Sequence, residues 1–233
     1  MKRIMLILSS ILIISLNQFA SAGTDKTEIR NHSGFTSVKV SSGIDLFLTM
    51  CDAESVKVVA DGEIIDRIKT EVENGTLRIY FKSTSLNWNF NKKRQVYVTL
   101  KSLVNLDASS GSDVVSENLL KGNTIEVSVS SGSDVKLNLE YQEIRIDSSS
   151  GSDAELSGSC NNLKAESSSG SDIDATGLKS KNCQVNVSSG ADAIVFVTDE
   201  LKANASSGGD IRYLGNPGSK DINESSGGDV AAK

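Results

Sequence analysis

The sequence predicts an all-β protein: a single-stranded, right-handed parallel β-helix, that is, a solenoid, with coils of about 19 residues and an irregular N-terminal part. Three observations carry this expectation. The motif Ser-Ser-Gly-Ser-Asp stands at Ser109–Asp113, Ser130–Asp134, Ser149–Asp153 and Ser168–Asp172, with near-copies at Ser188–Asp192, Ser206–Asp210 and Ser225–Asp229. Its glycines recur every 18 to 21 residues. Aligned on the first serine, the positions five and three upstream and the position just after the aspartate are apolar in 20 of 21 places, with Lys220 the exception. The residues between them (Asn105, Glu126, Arg145, Lys164, Gln184, Lys202 and Asp221 in one column) are polar.

Such alternation is the period of a strand with one buried face. A flexible Ser-Gly linker buries nothing and has no reason to keep it. One short strand cannot bury its own face, so successive copies must stack, each coil rising about 4.8 Å. After each aspartate the apolar-polar-apolar pattern resumes, as in Val135-Lys136-Leu137 and Ile211-Arg212-Tyr213. The motif therefore marks a corner between two strands, where glycine permits the bend.

Taken from the N-terminus, residues 1–22 read as a signal peptide. Lys2 and Arg3 precede the apolar run Ile4–Leu16, and Ala20-Ser21-Ala22 offers a small-residue cleavage pattern, so the expected mature chain starts at Gly23. No transmembrane span is expected after its removal, and the apolar run is short for one. The formal net charge is −6, and losing Lys2 and Arg3 makes it more negative. An acidic exported chain lacks the basic footprint that nucleic-acid binding requires.

Residues 23–233 read as one β-helix domain, with irregular coils and an inserted hairpin over 23–103 and regular coils over 104–233. An early motif copy, Ser41–Asp45, keeps the flanking rule through Val38, Val40, Leu46 and Leu48. Strand-like runs follow at Ser55–Ala60, Leu77–Phe81 and Gln95–Leu100, with a helical turn within Gly62–Ile68. Glu73-Asn74-Gly75-Thr76 reads as a hairpin turn, because Asn-Gly favours the positive φ angles that tight hairpins need.

The stretch GFTSVKVSSGIDLFLTMCDAESVKVVADGEIIDRIKTEVENGTLRIYFK, Gly34–Lys82, resembles the opening of the auto-transporter adhesin head GIN domain family. The later Ser-Gly-Ser-Asp coils are similar to the rest of that domain. The resemblance covers nearly the whole mature chain and implies a right-handed parallel β-helix in an exported bacterial protein of largely unassigned activity. It brings no catalytic residues with it. The chain stops at Lys233, leaving no length for an outer-membrane translocator barrel, so a complete auto-transporter is not expected.

The column Asp113, Asp134, Asp153, Asp172, Asp192, Asp210 and Asp229 offers oxygen ligands suited to calcium. The period is twice that of the nine-residue calcium repeat, and aspartate and serine also bond turn amides locally. Turn chemistry is the expectation; no metal or cofactor is assigned. Three cysteines, Cys51, Cys160 and Cys183, leave a Cys160–Cys183 bridge open beside the simpler reading of buried thiols. His32 is the sole histidine and lies close to the expected mature N-terminus, so Ser-His or Cys-His catalysis has no evident base.

The pattern breaks at Ser83–Gln95, STSLNWNFNKKRQ. Asn87, Trp88, Asn89, Phe90, Lys92, Lys93 and Arg94 combine aromatic, amide and basic groups suited to glycan or protein contact. The bland alternative has Trp88 and Phe90 plugging the end of the helix. The expected function is a non-enzymatic, adhesin-like interaction module of the envelope or cell surface, in the periplasm, on the outer membrane or outside the cell. A carbohydrate-active β-helix enzyme and a module that self-assembles into homo-oligomers through its exposed coil ends are the alternatives.

Overall fold

The computed structural model describes residues 25–82 and 92–233. It contains β1 (Asp25–Arg30), β2 (Ser37–Ser41), β3 (Asp45–Met50), β4 (Ser55–Asp61), a 3-10 turn at Ile65–Arg67, β5 (Ile68–Glu73), β6 (Thr76–Phe81) and β7 (Arg94–Leu100). These are followed by β8 (Asn105–Ser109), β9 (Asp113–Ser116), β10 (Leu120–Ser130), β11 (Asp134–Ser149), β12 (Asp153–Ser168), β13 (Asp172–Ser188) and β14 (Asp192–Ala205). The last three are β15 (Asp210–Leu214), β16 (Ser219–Glu224) and β17 (Asp229–Ala232).

The strands form a β-helix of about 7 turns with coils of about 19 residues. Its ladders run in two series, one on each side of the motif corner. Before the corner, β6, β2, β8, β10 and the later halves of β11 to β13 pair in parallel, in that order, and the series ends with β14 and β16. After the corner, the parallel series is β7, β3, β9, the first halves of β11 to β14, β15 and β17. The motif aspartates pair in register, Asp113↔Asp134↔Asp153↔Asp172↔Asp192↔Asp210↔Asp229.

Alternate residues of every coil point inward and make one continuous core from Phe35 to Tyr213. The expected columns are buried there, with exceptions at the two ends, Val230 being only partly buried. Val104 is 48% exposed, and Leu103 takes the interior place instead; Ile222 is 40% exposed. Cys160 and Cys183 are free, buried thiols, and burial pushes both up to about 12. Cys51 is an exposed free thiol.

The corner works differently from the expectation. Its second serine and its glycine both adopt left-handed backbone, with φ of 49° to 74° for the serines and 64° to 79° for the glycines. Two successive positive φ angles make a type I′ bend, which glycine enters freely and serine at some cost. The fourth residue points into the core: Ser112, Ser133, Ser152 and Ser171 are fully buried. Ser152 Oγ accepts the Ser149 amide at 3.1 Å and lies 2.8 Å from the Ser149 carbonyl and 3.0 Å from that of Val129. Ser171 repeats these contacts with Ser168 and Ser148.

Where alanine or glycine stands fourth, the main chain closes the turn itself, Ala191 N to Ser188 O at 3.3 Å and Gly209 N to Ser206 O at 3.0 Å. Buried serine, not the exposed aspartate, is thus the side chain that holds the corner. The aspartate contributes its main-chain amide to the preceding coil, as in Asp153 N to Ser133 O at 3.2 Å.

The N-terminal part departs from simple winding. Asn74 and Gly75 (φ 50° and 76°) turn β5 into β6 as an antiparallel hairpin, as Asn-Gly predicts. In the second series, β1 pairs antiparallel with β4, and β4 antiparallel with β7. The strands β2 and β3 of the first motif copy lie between β6 and β7 on one side and β8 and β9 on the other. A coil built from residues later in the chain is therefore stacked beneath an earlier one.

Candidate recognition surface

The strands β6 and β7 stand in their coil where β2 and β3 stand in the next, with Val38 over Leu77 and Leu46 over Val96. Between Phe81, the last residue of β6, and Arg94, the first of β7, the sequence carries no copy of the motif. Asn87, Trp88, Asn89 and Phe90 lie outside the described residues; Lys92, Lys93 and Arg94 lie within them. Lys92 is shared between Asp61, at 3.3 Å, and Glu63, and Lys93 pairs with Asp25 at 2.9 Å. Hydrogen bonds to these carboxylates raise the pKa of both lysines. The expected basic cluster is thus divided among acids of neighbouring segments and does not form a single cationic patch.

Arg94 is buried, with only 4% of its surface exposed. It sits one residue before Gln95, which pairs with Asp45, so it stands below Ile44 at the corner of the adjacent coil. Its Nη1 approaches to 3.4 Å of the place a Cβ on Gly43 would occupy. Its guanidinium lies 4.6 Å from the centre of the Phe81 ring, and Arg67 lies at the same distance from that ring. Burial, then repulsion from Arg67, holds the Arg94 pKa below the ordinary arginine value, with Asp45 opposing. A stacked, delocalised cation is the form of positive charge that tolerates such a site.

Beside this corner the structure assembles a surface absent from the sequence reading. Registered pairs place Ile29, Lys57, Tyr97, Phe47 and Val115 in one outward row across β1, β4, β7, β3 and β9. Tyr97 and Phe47 stack with ring centres 4.7 Å apart at 15°, and Lys57 Nζ lies 4.0 Å from the centre of the Tyr97 ring. The Tyr97 hydroxyl donates to Gln95 Oε1 at 3.2 Å. Ile29 is 65% exposed. Farther along, the row becomes Lys136, Glu155, Asp174, Ile194 and Arg212, which is mostly charged. Phe47 and Val115 both stand two residues after a motif aspartate, so the motif alignment could have joined them. Tyr97 and Lys57 flank no motif, and only the fold brings them in.

On the face before the corner several polar groups are paired with one another. A cleft of about 640 Å³ crosses the coils at Arg145, Asn162, Lys164, Gln184 and Lys202. Within and beside it Arg145 pairs with Glu143 at 2.7 Å, Lys164 with Glu166 at 2.8 Å, and Asn182 donates to Asn162 at 2.9 Å. The aspartate column is solvent-facing. Burial, then the neighbouring carboxylates, raises the pKa of Asp113 and Asp172. Among the described residues no group of three or more histidine, cysteine or carboxylate side chains converges to hold a metal ion. His32 is hydrogen-bonded to Thr70 Oγ1 at 2.8 Å, away from the corners.

Comparison with known proteins agrees with this architecture. The chain is similar in structure to an adhesin from Bacteroides fragilis NCTC 9343, described as "putative", at 18% identity and a TM-score of 0.85, over 90% of this chain and 97% of that one. It is similar to a lipid binding protein of Parabacteroides distasonis ATCC 8503, again described as "putative", at 21% identity and a TM-score of 0.70, over 91% and 98%. A further adhesin of the same organism gives 20% identity and a TM-score of 0.75, over 91% and 98%. At these identities the likeness establishes the fold. No curated protein matches the chain. The family described as "Putative auto-transporter adhesin, head GIN domain" matches residues 34–217, most of the chain, and the protein belongs to that family.

Proposed function

We propose that this protein is an exported, non-enzymatic interaction module of the bacterial envelope or surface, a single β-helix domain that binds a glycan or protein partner through the coil lacking the motif corner. The observation that carries the reading is the outward row of Tyr97, Phe47, Val115 and Ile29, built on strands of which β7 follows a stretch of sequence without the motif. Elsewhere the outward columns repeat, and repeated residues serve repeated geometry. Aromatic side chains with few rotatable bonds, set on paired strands, provide contact area at low entropic cost. Membership of an adhesin family supports an exported or surface role. No described helix is long and apolar enough to cross a membrane.

The test is a glycan array of bacterial and host surface polysaccharides probed with residues 23–233, with Trp88→Ala and Tyr97→Ala compared on every hit. Loss of binding in both variants, with an unchanged far-UV spectrum, supports the assignment. Binding that survives both substitutions rejects the site. The apolar row, together with the lipid binding protein among the structural neighbours, favours a second reading, contact with a lipid surface. Flotation with neutral and anionic vesicles separates it from the first.

A further inference from the structure

We propose that the bend shared by β12 and β13, midway between motif corners, is a second binding site, for an acidic glycan, independent of the row through Tyr97. In these coils the inward-outward alternation breaks once. Cys160 and Leu163 face inward with Asn161 and Asn162 both outside the core, and Ser180 and Cys183 enclose Lys181 and Asn182 in the same way. Two consecutive outward residues turn the chain, and a cleft lies on each side of the turn. The cleft of about 640 Å³ runs between Asn162 and Asn182 on one wall and Lys164, Gln184 and Lys202 on the other. The second, of about 450 Å³, is lined across the turn by Ser159, Asn161, Lys179 and Lys181. Both have the size of ligand clefts.

Charge is sorted around this bend. Every carboxylate lining the two clefts stands on β11 or β14, Glu140 and Glu143 on one side and Asp199 and Glu200 on the other. The polar lining from β12 and β13, between them, consists of amides, hydroxyls and lysines. From Ala175 to Ala191 the chain carries Lys179 and Lys181 and no acid, on a protein with 30 acidic and 24 basic residues. Arg145 and Lys164 are neutralised by Glu143 and Glu166, but Lys179, Lys181 and Lys202 form no ion pair among the described residues. A cationic strip framed by acids draws an anion to the two middle coils and fixes where along the axis it sits.

Amides supply the rest of the recognition. Asn182 Nδ2 donates to Asn162 Oδ1 at 2.9 Å, and Asn161 Nδ2 donates to Gln142 Oε1. Among the described residues this leaves Asn162 Nδ2 and Asn182 Oδ1 without a protein partner, and likewise Gln142 Nε2 and Asn161 Oδ1. Each pair thus keeps one donor and one acceptor, the combination that a sugar hydroxyl matches, while the lysines match an acidic substituent. Tyr141, the aromatic residue at the second cleft, is buried, with its hydroxyl donating to the Leu103 carbonyl at 3.0 Å. The clefts therefore offer no exposed ring on which a nucleic-acid base would stack, and the polyanion they suit is a glycan.

Calorimetric titration of residues 23–233 with oligogalacturonate and with a heparin fragment tests this, against fully methyl-esterified oligogalacturonate as the neutral chain. At least one acidic chain is expected to bind, less tightly as salt is added, and about tenfold more tightly than the ester. Which of the two binds tells carboxylate from sulfate as the anion. Lys181→Gln with Lys202→Gln should weaken binding about tenfold, and Asn162→Ala with Gln184→Ala, which leaves the charge unchanged, about threefold. All four side chains are exposed, so the far-UV spectrum should not change. Lys136→Gln, on the face after the corner and paired there with Glu155 at 2.7 Å, should leave the affinity unaltered, as should Tyr97→Ala. Failure of both acidic chains to bind, equal binding of the ester, or an equal loss in Lys136→Gln overturns the inference. Loss in Tyr97→Ala with full binding in the lysine variants would place the glycan on the row through Tyr97 and overturn it too.

Discussion

The coils after Asn105 and the unit before Leu100 share the same two ladder series but reach them by different routes. In the array each coil repeats the motif, and a buried serine, alanine or glycine sets the bend. In the N-terminal unit, β6 and β7 carry no motif, and three of the ladders are antiparallel, yet β6 and β7 stack on β2 and β3 in register. What stacking requires is therefore the spacing of inward apolar residues. The corner chemistry is replaceable, here by a buried arginine over a phenylalanine ring.

The largest expected effect comes from a backbone approach inside the array. A Cβ on Gly158 (φ 109°) would lie 2.0 Å from the Leu139 carbonyl oxygen, so Gly158→Ala should cost about 4 kcal/mol through overpacking and backbone strain. At the corner, a Cβ on Gly151 meets nothing within 4 Å, and Ser150 beside it already tolerates the same conformation. Gly151→Ala should cost only about 1 kcal/mol, all of it conformational. Urea denaturation of the two variants checks the contrast; equal losses would show that the corner is as crowded as the approach at Gly158.

In the irregular unit, Phe81→Ala removes the ring under Arg94 and Arg67 and should cost about 3 kcal/mol. Hydrogen exchange should show the loss confined to β4 to β7, with β11 to β13 still protected, since each coil contacts mainly its neighbours. Uniform deprotection would mean that the two regions unfold as one cooperative unit.

Ser171→Ala should cost about 1–2 kcal/mol, because the Ser168 amide and nearby buried groups lose a partner. The coil of Ala191 shows that the turn survives the change by closing through its own main chain. The smallest effect concerns the aspartate column. The pKa of Asp172 is raised by burial first and then by Asp153 and Asp192, so folding favours its protonated form. This unfavourable term is fully present at neutral pH and is relieved as pH falls through the folded pKa. Asp172→Asn should therefore raise Tm slightly at about pH 7 and lose that advantage near pH 3. A Tm lowered at neutral pH would instead give the carboxylate a binding or structural role.

The sequence made the array legible because every coil buries the same columns, and a period-2 pattern repeated at a fixed interval has few other solutions. It also marked the Asn74-Gly75 hairpin, whose turn geometry is local. It did not reveal that the fourth motif residue faces inward, since Ser, Ala and Gly are common in exposed turns as well as at crowded interior bends. Nor could it show the row through Tyr97 and Phe47, because those residues meet only when a later segment stacks beneath an earlier one. The basic run Lys92-Lys93-Arg94 looked like a single patch for the same reason: the carboxylates that divide it come from distant segments.

The in-register corner has a consequence for length. Residues 134–149 of one coil lie over residues 153–168 of the next in a single unshifted register, one rung higher. Asp153–Ser171 is accordingly an interchangeable rung: excising or duplicating it should move the far end by about 4.8 Å while preserving both terminal coils. A chain built this way works as a ruler, whose reach is set by counting rungs while the chemistry at its two ends stays the same.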